Sequence, residues 1–539
     1  MNKILITTIV LLGAILRFNQ LNNLPALNAD EAAIGYNVYS LLETGRDEHG
    51  NPWPIHFQSF NDYKPGLYFY LTLPFVKVLG LTELAVRLPG ATLGVLSIFV
   101  VWLLVKNLFP DKKYLAELSA LFLAISPWHI HFSRGGWEVN AATFFITLGV
   151  LGLTKSAQSS KWFLVTLLSW VAAMYTYHAA RVVIPLLALS LSVYYDSILK
   201  NKKRLATILL VGTILLIPLA RDMVGEAGVS RASGVGLLAD PGPVNKTNVQ
   251  RGEHLSSVGL AAEALHNKVV NYALAFAQNY TEHFSGDFLF ISGDDIERNK
   301  IPEFGVMYLS DMVFILIGIL AILKGPKGWY PVLMWLLVAP IAAALTFQSP
   351  HALRAHNMVI PLTIISAFGL WNLVLWSNKY TKTKLSRFAF CVLLFTPVVW
   401  DFSRYLHQYY IHLNKTYDYS SQYGVKKLVE YTKTQSRYSN YLITTRYDQP
   451  YIIFLFYLKH PPEKFQKEHT LTARDRFGFS TVEKFSNYSF KEITNWNATR
   501  TSNPNTLIAG APEEIPDGAN VINTIYFPSG KIAFKVVAN

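Results

Sequence analysis

LAVRLPGATLGVLSIFVVWLLV, residues 84–105, runs for 22 residues with one charge, Arg87, and stops at Lys106. A bilayer core is crossed by a helix of about 20 apolar residues, so this stretch predicts a membrane span. On its far side come Lys106, Lys112 and Lys113, and then a second apolar run at 115–131. Working outward, comparable runs occupy 4–18, 138–154, 162–177, 180–198, 205–220, 306–323, 329–347, 355–376 and 385–400. Together they predict a mainly α, polytopic helical membrane protein of about eleven spans. The first run lacks a small-residue cleavage site and flows into Arg17, so it is expected to be retained as a helix rather than cleaved as a signal peptide.

Composition agrees. The 539-residue chain is 51% hydrophobic and only 15% charged, with a mean hydropathy of +0.25, against roughly 25% charged residues in soluble proteins. Disorder and coiled coil are excluded, because apolar residues are abundant and arrive in long runs rather than heptads. The net charge of +13 sits between apolar runs, where membrane topology explains it better than nucleic-acid binding. Cys391 is the single cysteine, so no intrachain disulfide or thiolate metal site can form.

Basic residues mark alternate short loops. They are Lys106, Lys112 and Lys113; Lys155 and Lys161; Lys200, Lys202, Lys203 and Arg204; Lys324 and Lys327; and Lys379, Lys382, Lys384 and Arg387. The positive-inside rule makes these loops cytoplasmic. A multi-pass plasma (inner) membrane protein follows, with a cytoplasmic N-terminus and three large outer segments: 19–83, 221–305 and the tail from 401 to 539. Residues 1–400 form the expected membrane domain. Within it, 224–260 is rich in Gly, Ser, Asn and Pro and predicts a mobile loop. The tail holds strand-like pieces at Tyr441–Thr445 and Thr506–Ala509 and a hairpin over Ile525–Val537, which predict an extracytoplasmic α/β domain.

The residues fit for chemistry gather in the outer segments. Asp30-Glu31 opens an amphipathic stretch running to about Leu42. Adjacent carboxylates here can transfer protons, or Asn28 or Asp30 can cap a helix with Glu31 in its first turn; both readings stand. Asp62-Tyr63-Lys64-Pro65-Gly66-Leu67-Tyr68 follows, and then Arg87-Leu88-Pro89. Lys64 and Arg87 at an outer surface suit either a lipid phosphate or an interfacial anchor. Three outer turns add His129, His131, Arg134 and Glu138; His178 and Arg181; and His351, Arg354 and His356. Cations on this side have no positive-inside reason to be there, so they ask for an anionic, membrane-bound partner. The histidine spacings do not match a two-His zinc helix, although a divalent ion shared between loops stays open, and no nucleotide-binding glycine motif is present.

Taken in order, Asp30-Glu31, the Asp62–Tyr68 stretch (like D-x-K-P-P-L-Y, with Gly66 in place of the second proline), Arg87-Leu88-Pro89, Ser126-Pro127 to Arg134 and Pro350-His351 to Arg354 resemble the GT-C superfamily of membrane glycosyltransferases. The resemblance is to the branch of protein O-mannosyltransferases and the lipid A aminoarabinose transferase, over about the first 400 residues. It implies inverting transfer of a sugar from a polyprenyl-phosphate carrier, outside the cytoplasm, to an acceptor hydroxyl on protein, lipid or glycan. It also implies Asp30 as general base with Glu31 beside it, and Lys64, Arg134, Arg181 and Arg354 as donor-phosphate ligands. Asp62, Tyr63, Arg87, His131, Glu138, His178 and His351 complete the outer-face set. The competing class, a transporter or flippase of lipid-linked precursors, predicts charges within spans and internal repeats, and neither is evident.

Overall fold

The computed structural model describes residues 2–60, 62–156, 158–159, 161–194, 201–225, 234–254, 259–381, 383–474 and 480–539. The expected basic-loop residues Lys200 and Lys382 lie outside them, as do 226–233 and 255–258 of the expected mobile loop. The protein is mostly helical, and a helix underlies each of the eleven apolar runs. Two of these runs are broken, between Leu115–Ile125 and Pro127–Ser133 and between Tyr330–Val338 and Ile341–Ala344. Pro127 and Pro340 stand at the breaks and cannot donate to the preceding turn.

Among the described residues, four helices are long and apolar enough to cross a bilayer alone: Glu83–Leu108, Leu205–Met223, His356–Tyr380 and Lys384–Thr416. The pair Pro127–Ser133 and Glu138–Lys155, bent by 116°, makes a fifth if taken as one span. The runs at 4–18, 162–177 and 306–323 form helices of 17, 16 and 16 residues, or about 25 Å at 1.5 Å per residue, short of the ~30 Å core. Lys384–His407 exposes Leu385, Phe388, Leu393, Val399 and Trp400, a face suited to lipid rather than water. The chain is thus built as a multi-pass membrane protein. The expected boundary at residue 401 falls inside a continuous helix, since Asp401, Arg404 and His407 add polarity without breaking it.

The expected loop at 224–260 is partly helical where it is described. Gly242–Gly252 forms a helix with proline in its first turn, the position where a missing N–H costs nothing. Asn271 Nδ2 ties it down through Thr247 Oγ1 at 2.8 Å.

The chain folds as two compact units. The first comprises Met1–Leu16, Leu93–Phe132 and Val139–Tyr405. Its centre is the pair Leu309–Lys324 and Val359–Tyr380, whose backbones meet at two glycines. A Cβ at Gly369 would overlap the Phe314 carbonyl, and one at Gly318 the Ile365 carbonyl. Such small-residue contact holds helices together where no hydrophobic effect can. Ser366 Oγ donates to Asp311 Oδ1 at 2.5 Å across the same interface.

The second unit joins Arg17–Thr92, Ser133–Glu138 and Leu406–Asn539. Its seven-stranded sheet runs, edge to edge, Thr470–Leu471, Val482–Phe485, Tyr488–Phe490, Asn440–Ile443, Thr506–Gly510, Ile532–Ala538 and Val521–Tyr526. The three central strands are parallel and the rest antiparallel. Gly530, at φ 88°, turns the last hairpin. The apolar helix Pro450–Leu458 is buried from Pro450 to Phe456, with Phe454 against Tyr488 and Phe490 of the sheet. Its other side meets the helix Ala29–Thr44, where Phe456 fills the space a side chain at Gly35 would need. Each such ring contributes roughly 2–3 kcal/mol, so the first outer segment and the tail share one core.

Candidate active site

The helix Ala29–Thr44 starts because Asn28, in extended conformation, accepts from Glu31 N at 3.0 Å while Glu31 Oε2 accepts from Asn28 N at 3.3 Å. This reciprocal capping box satisfies two donors that the first turn leaves open. It stops at Gly45, at φ 70°, whose N–H returns to Leu41 O. Asp30 follows Ala29 in the first turn, where the helix dipole favours a negative charge. Ala29 N is bound by Gln422 Oε1 at 2.7 Å, so the tail also fixes this helix end.

Glu31 is fully buried. Arg87 Nε and Nη2 donate to its two oxygens at 2.7 Å each, and Gly136 N donates to Oε1 at 2.9 Å. With the cap bond added, both oxygens are saturated. Glu31, expected beside the Asp30 base to position the acceptor or tune its pKa, lies fully buried, and Arg87, expected at the outer surface, is its buried counter-ion. The physical reason is that a buried carboxylate requires a paired cation, and a planar guanidinium supplies two parallel bonds.

Asp30 points the other way and keeps 25% side-chain exposure. The antiparallel hairpin His56–Ser59 and Asp62–Pro65 places Lys64 opposite Phe57, and Lys64 Nζ donates to Asp30 Oδ1 at 2.5 Å. Burial opposes the Lys64 charge, but Asp30, with Glu138 and Asp62 adding to it, holds the ammonium above the usual lysine range. Asp62 Oδ1 also accepts from Tyr63 N at 2.9 Å. Asp30 and Lys64 therefore form a reachable pair beside an inert one.

Arg134, expected as a phosphate ligand, is fully buried in the same unit. It donates to Tyr409 Oη at 3.1 Å and to the carbonyls of Asn19 and Leu24 at 2.7 and 3.2 Å. Through these bonds it ties chain segments together in the core.

The remaining expected residues belong to the other unit. His351 Nδ1 lies 3.4 Å from Asp294 Oδ2, which accepts from Ala352 N and Asn299 Nδ2 at 2.6 and 3.0 Å. Burial opposes the Asp294 charge, but His351 and the backbone N–H groups of Ile296 and Ala352 hold its carboxyl below the usual range. His131 Nε2 meets the Arg298 carbonyl at 2.9 Å. Arg354 donates to Thr346 Oγ1 and Gln348 Oε1 at 2.7 and 3.2 Å. Arg181 donates to Met174 O at 3.1 Å and to His178 Nδ1 at 3.0 Å, so His178 carries its proton on Nε2 when neutral. Among the described residues, no group of three or more His, Cys, Asp or Glu side chains gathers as a metal cage.

Sequence reading passed over Glu48, which is wholly buried behind the hairpin. Ser59 Oγ donates to its Oε1 at 3.0 Å, and its own N–H goes to Asn37 Oδ1 at 2.9 Å. Burial pushes its carboxyl up to about 8, with Asp47 adding to the shift. A carboxyl raised this far holds its proton at neutral pH in the folded chain and loses it in the unfolded one. Its stabilising contribution is full below about 4.5 and is lost as pH rises through about 8. Melting temperature is expected to fall over that window in the wild type and to fall less in Glu48→Gln; equal slopes would reject the assignment.

Residues 63–220 match the family model described as dolichyl-phosphate-mannose-protein mannosyltransferase. No curated protein matches the chain in sequence. Among solved structures, ArnT from Cupriavidus metallidurans in the apo state is similar over 98% of this chain and 97% of its own, at 12% identity and a TM-score of 0.53. The same protein bound to undecaprenyl phosphate gives a TM-score of 0.52, at 12% identity and the same coverage. The archaeal oligosaccharyltransferase AglB from Archaeoglobus fulgidus, in complex with an inhibitory peptide and a dolichol-phosphate, is similar over 84% of this chain at 13% identity and a TM-score of 0.51. The chain spans 63% of the AglB length. The chain thus shares its fold with ArnT almost end to end, and the stretch that begins beside Lys64 resembles the mannosyltransferase family.

Proposed function

We propose that the protein transfers a sugar, with inversion, from a polyprenyl-phosphate carrier to an acceptor hydroxyl on the extracytoplasmic side of the plasma membrane. The observation that carries this reading is the Asp30–Lys64 pair: a partly exposed carboxylate held by a lysine at 2.5 Å. Asp30 takes the proton of the acceptor hydroxyl as its oxygen attacks the anomeric carbon from the face opposite the phosphate. The anomeric C–O bond breaks, its electrons leave with the polyprenyl phosphate, and a new C–O bond joins sugar and acceptor. Charge grows on the departing phosphate, so a cation beside it stabilises the transition state more than the ground state. An ammonium has three N–H donors; Lys64 gives one to Asp30 and has two for the phosphate. The tail domain and the outer segment 19–83 share this side of the membrane, and undecaprenyl phosphate bound to ArnT supports a lipid donor.

The test is transfer from a panel of purified polyprenyl-phosphate sugars to protein, lipid and glycan acceptors, with and without a chelator. Transfer establishes the activity, and its loss with the chelator establishes a divalent requirement. Lys64→Ala is expected to lower transfer about a hundredfold and to weaken donor binding. An effect confined to acceptor affinity would remove the phosphate role.

A further inference from the structure

A cavity of about 270 Å³ opens beside the Asp30 helix, within the second unit. Leu27 and Ile453 contribute apolar lining, and Asn23, Tyr423, Lys427 and Glu430 contribute polar lining. Glu83 and Lys426 also face it, but they neutralise each other at 2.8 Å, and Tyr457 Oη donates to the same Glu83 oxygen at 2.9 Å. Lys427 lies over the Tyr423 ring, 5.2 Å from its centre.

Charge decides the ligand class. Two carboxylates balance two ammonium groups, so the cavity has no net attraction for a phosphate. An amide, a carboxylate, an ammonium and phenols among apolar side chains are matched instead by a neutral polyol, whose hydroxyls donate and accept in turn and whose C–H face suits the rings. The volume is below the ~300–1,000 Å³ of drug-sized sites and suits one or two small rings.

Position decides the role. Leu27 lines the cavity three residues before Asp30, so their Cα atoms are at most about 11 Å apart. Gln422, which also lines it, holds the N–H of Ala29. We infer that this cavity is the acceptor subsite and that the acceptor is a saccharide, or carries one. The inference rests on the glycosyltransferase reading for its role, and on the cavity alone for its ligand.

The experiment uses the full chain in phosphatidylcholine nanodiscs, free of sugar detergents. Saturation-transfer NMR with methyl mannoside, glucoside, galactoside and N-acetylglucosaminide reports binding without needing turnover. The double variant Asn23→Ala/Glu430→Ala changes two exposed side chains, and Lys427→Glu is a second, independent test. Saccharide saturation in the wild type, lost in both variants, supports the subsite; so does a saccharide-acceptor KM raised about tenfold with kcat and donor hydrolysis unchanged. No saccharide saturation, or a Ser/Thr peptide as the better acceptor with a KM indifferent to both variants, overturns it. Saturation that depends on Asn23 and Glu430, without sugar transfer from any donor to any acceptor or water, keeps the subsite and sinks the proposed function.

Discussion

Asp30→Asn is expected to lower sugar transfer by about 10²–10⁴ while leaving donor binding within error, with a modest drop in melting temperature because Lys64 loses its paired charge. The amide keeps the shape of the carboxylate and still accepts from Lys64 Nζ, which lies at 2.5 Å in the wild type. It cannot take a proton from an attacking hydroxyl, so the loss falls on kcat rather than on donor affinity. A pH profile sharpens the test. In the wild type the rate rises as a base loses its proton, whereas residual transfer in the variant should lack that limb. Transfer within a fewfold of wild type would reject Asp30 as the base. The same measurement on Glu48→Gln acts as a control, since Glu48 is a buried acid without access to substrate.

What the sequence makes legible follows the range of the forces involved. Apolar runs and basic loops are local patterns, and helices lie under all of the runs. The strand-like composition of Thr506–Ala509 and of the final hairpin is local too, and strands lie there at Thr506–Gly510 and Ile532–Ala538. The order of the sheet is a different matter: Asn440–Ile443 pairs with Tyr488–Phe490 and Thr506–Gly510, and no turn signal encodes such crossovers. The candidate site divides in the same way. Residue types singled out both Asp30 and Lys64, but 34 positions separate them, and only the fold shows that they touch. For Asp30-Glu31, capping and proton transfer were competing readings of one dipeptide. The structure shows the capping box, made by Asn28 and Glu31, and leaves Asp30 partly exposed beside Lys64. Nothing local announces that Glu31 is locked, because its partners are Arg87 and the Gly136 N–H, 56 and 105 positions away. Arg134 looked like Lys64 for the same reason: exposure belongs to the fold, and its partner Tyr409 is 275 positions on.

The lock itself predicts the largest effect on folding. Arg87→Ala leaves the Glu31 carboxyl with no exposure and no counter-ion, and removing one partner of a buried pair costs about 3–5 kcal/mol. A domain of ordinary stability has only about 5–15 kcal/mol to lose. The same arginine donates from Nη1 to Leu21 O at 3.0 Å, so a second buried acceptor is orphaned as well. Arg87→Ala is therefore expected to melt far below the wild type or to aggregate on extraction, and to be inactive for that reason. Glu31→Gln should fall between, because an amide keeps one oxygen for Arg87 or Gly136 but leaves the guanidinium uncompensated. The decisive comparison is the double variant Glu31→Met/Arg87→Met. Replacing both charges with apolar groups of similar length removes the desolvation penalty along with the attraction, and often costs little. Recovery of the melting temperature in the double variant, with transfer still depending on Asp30, would show that Glu31 and Arg87 hold the Asp30 helix without taking part in the chemistry. A double variant that melts like the wild type yet transfers no sugar would show the opposite, and would return Glu31 to the catalytic centre.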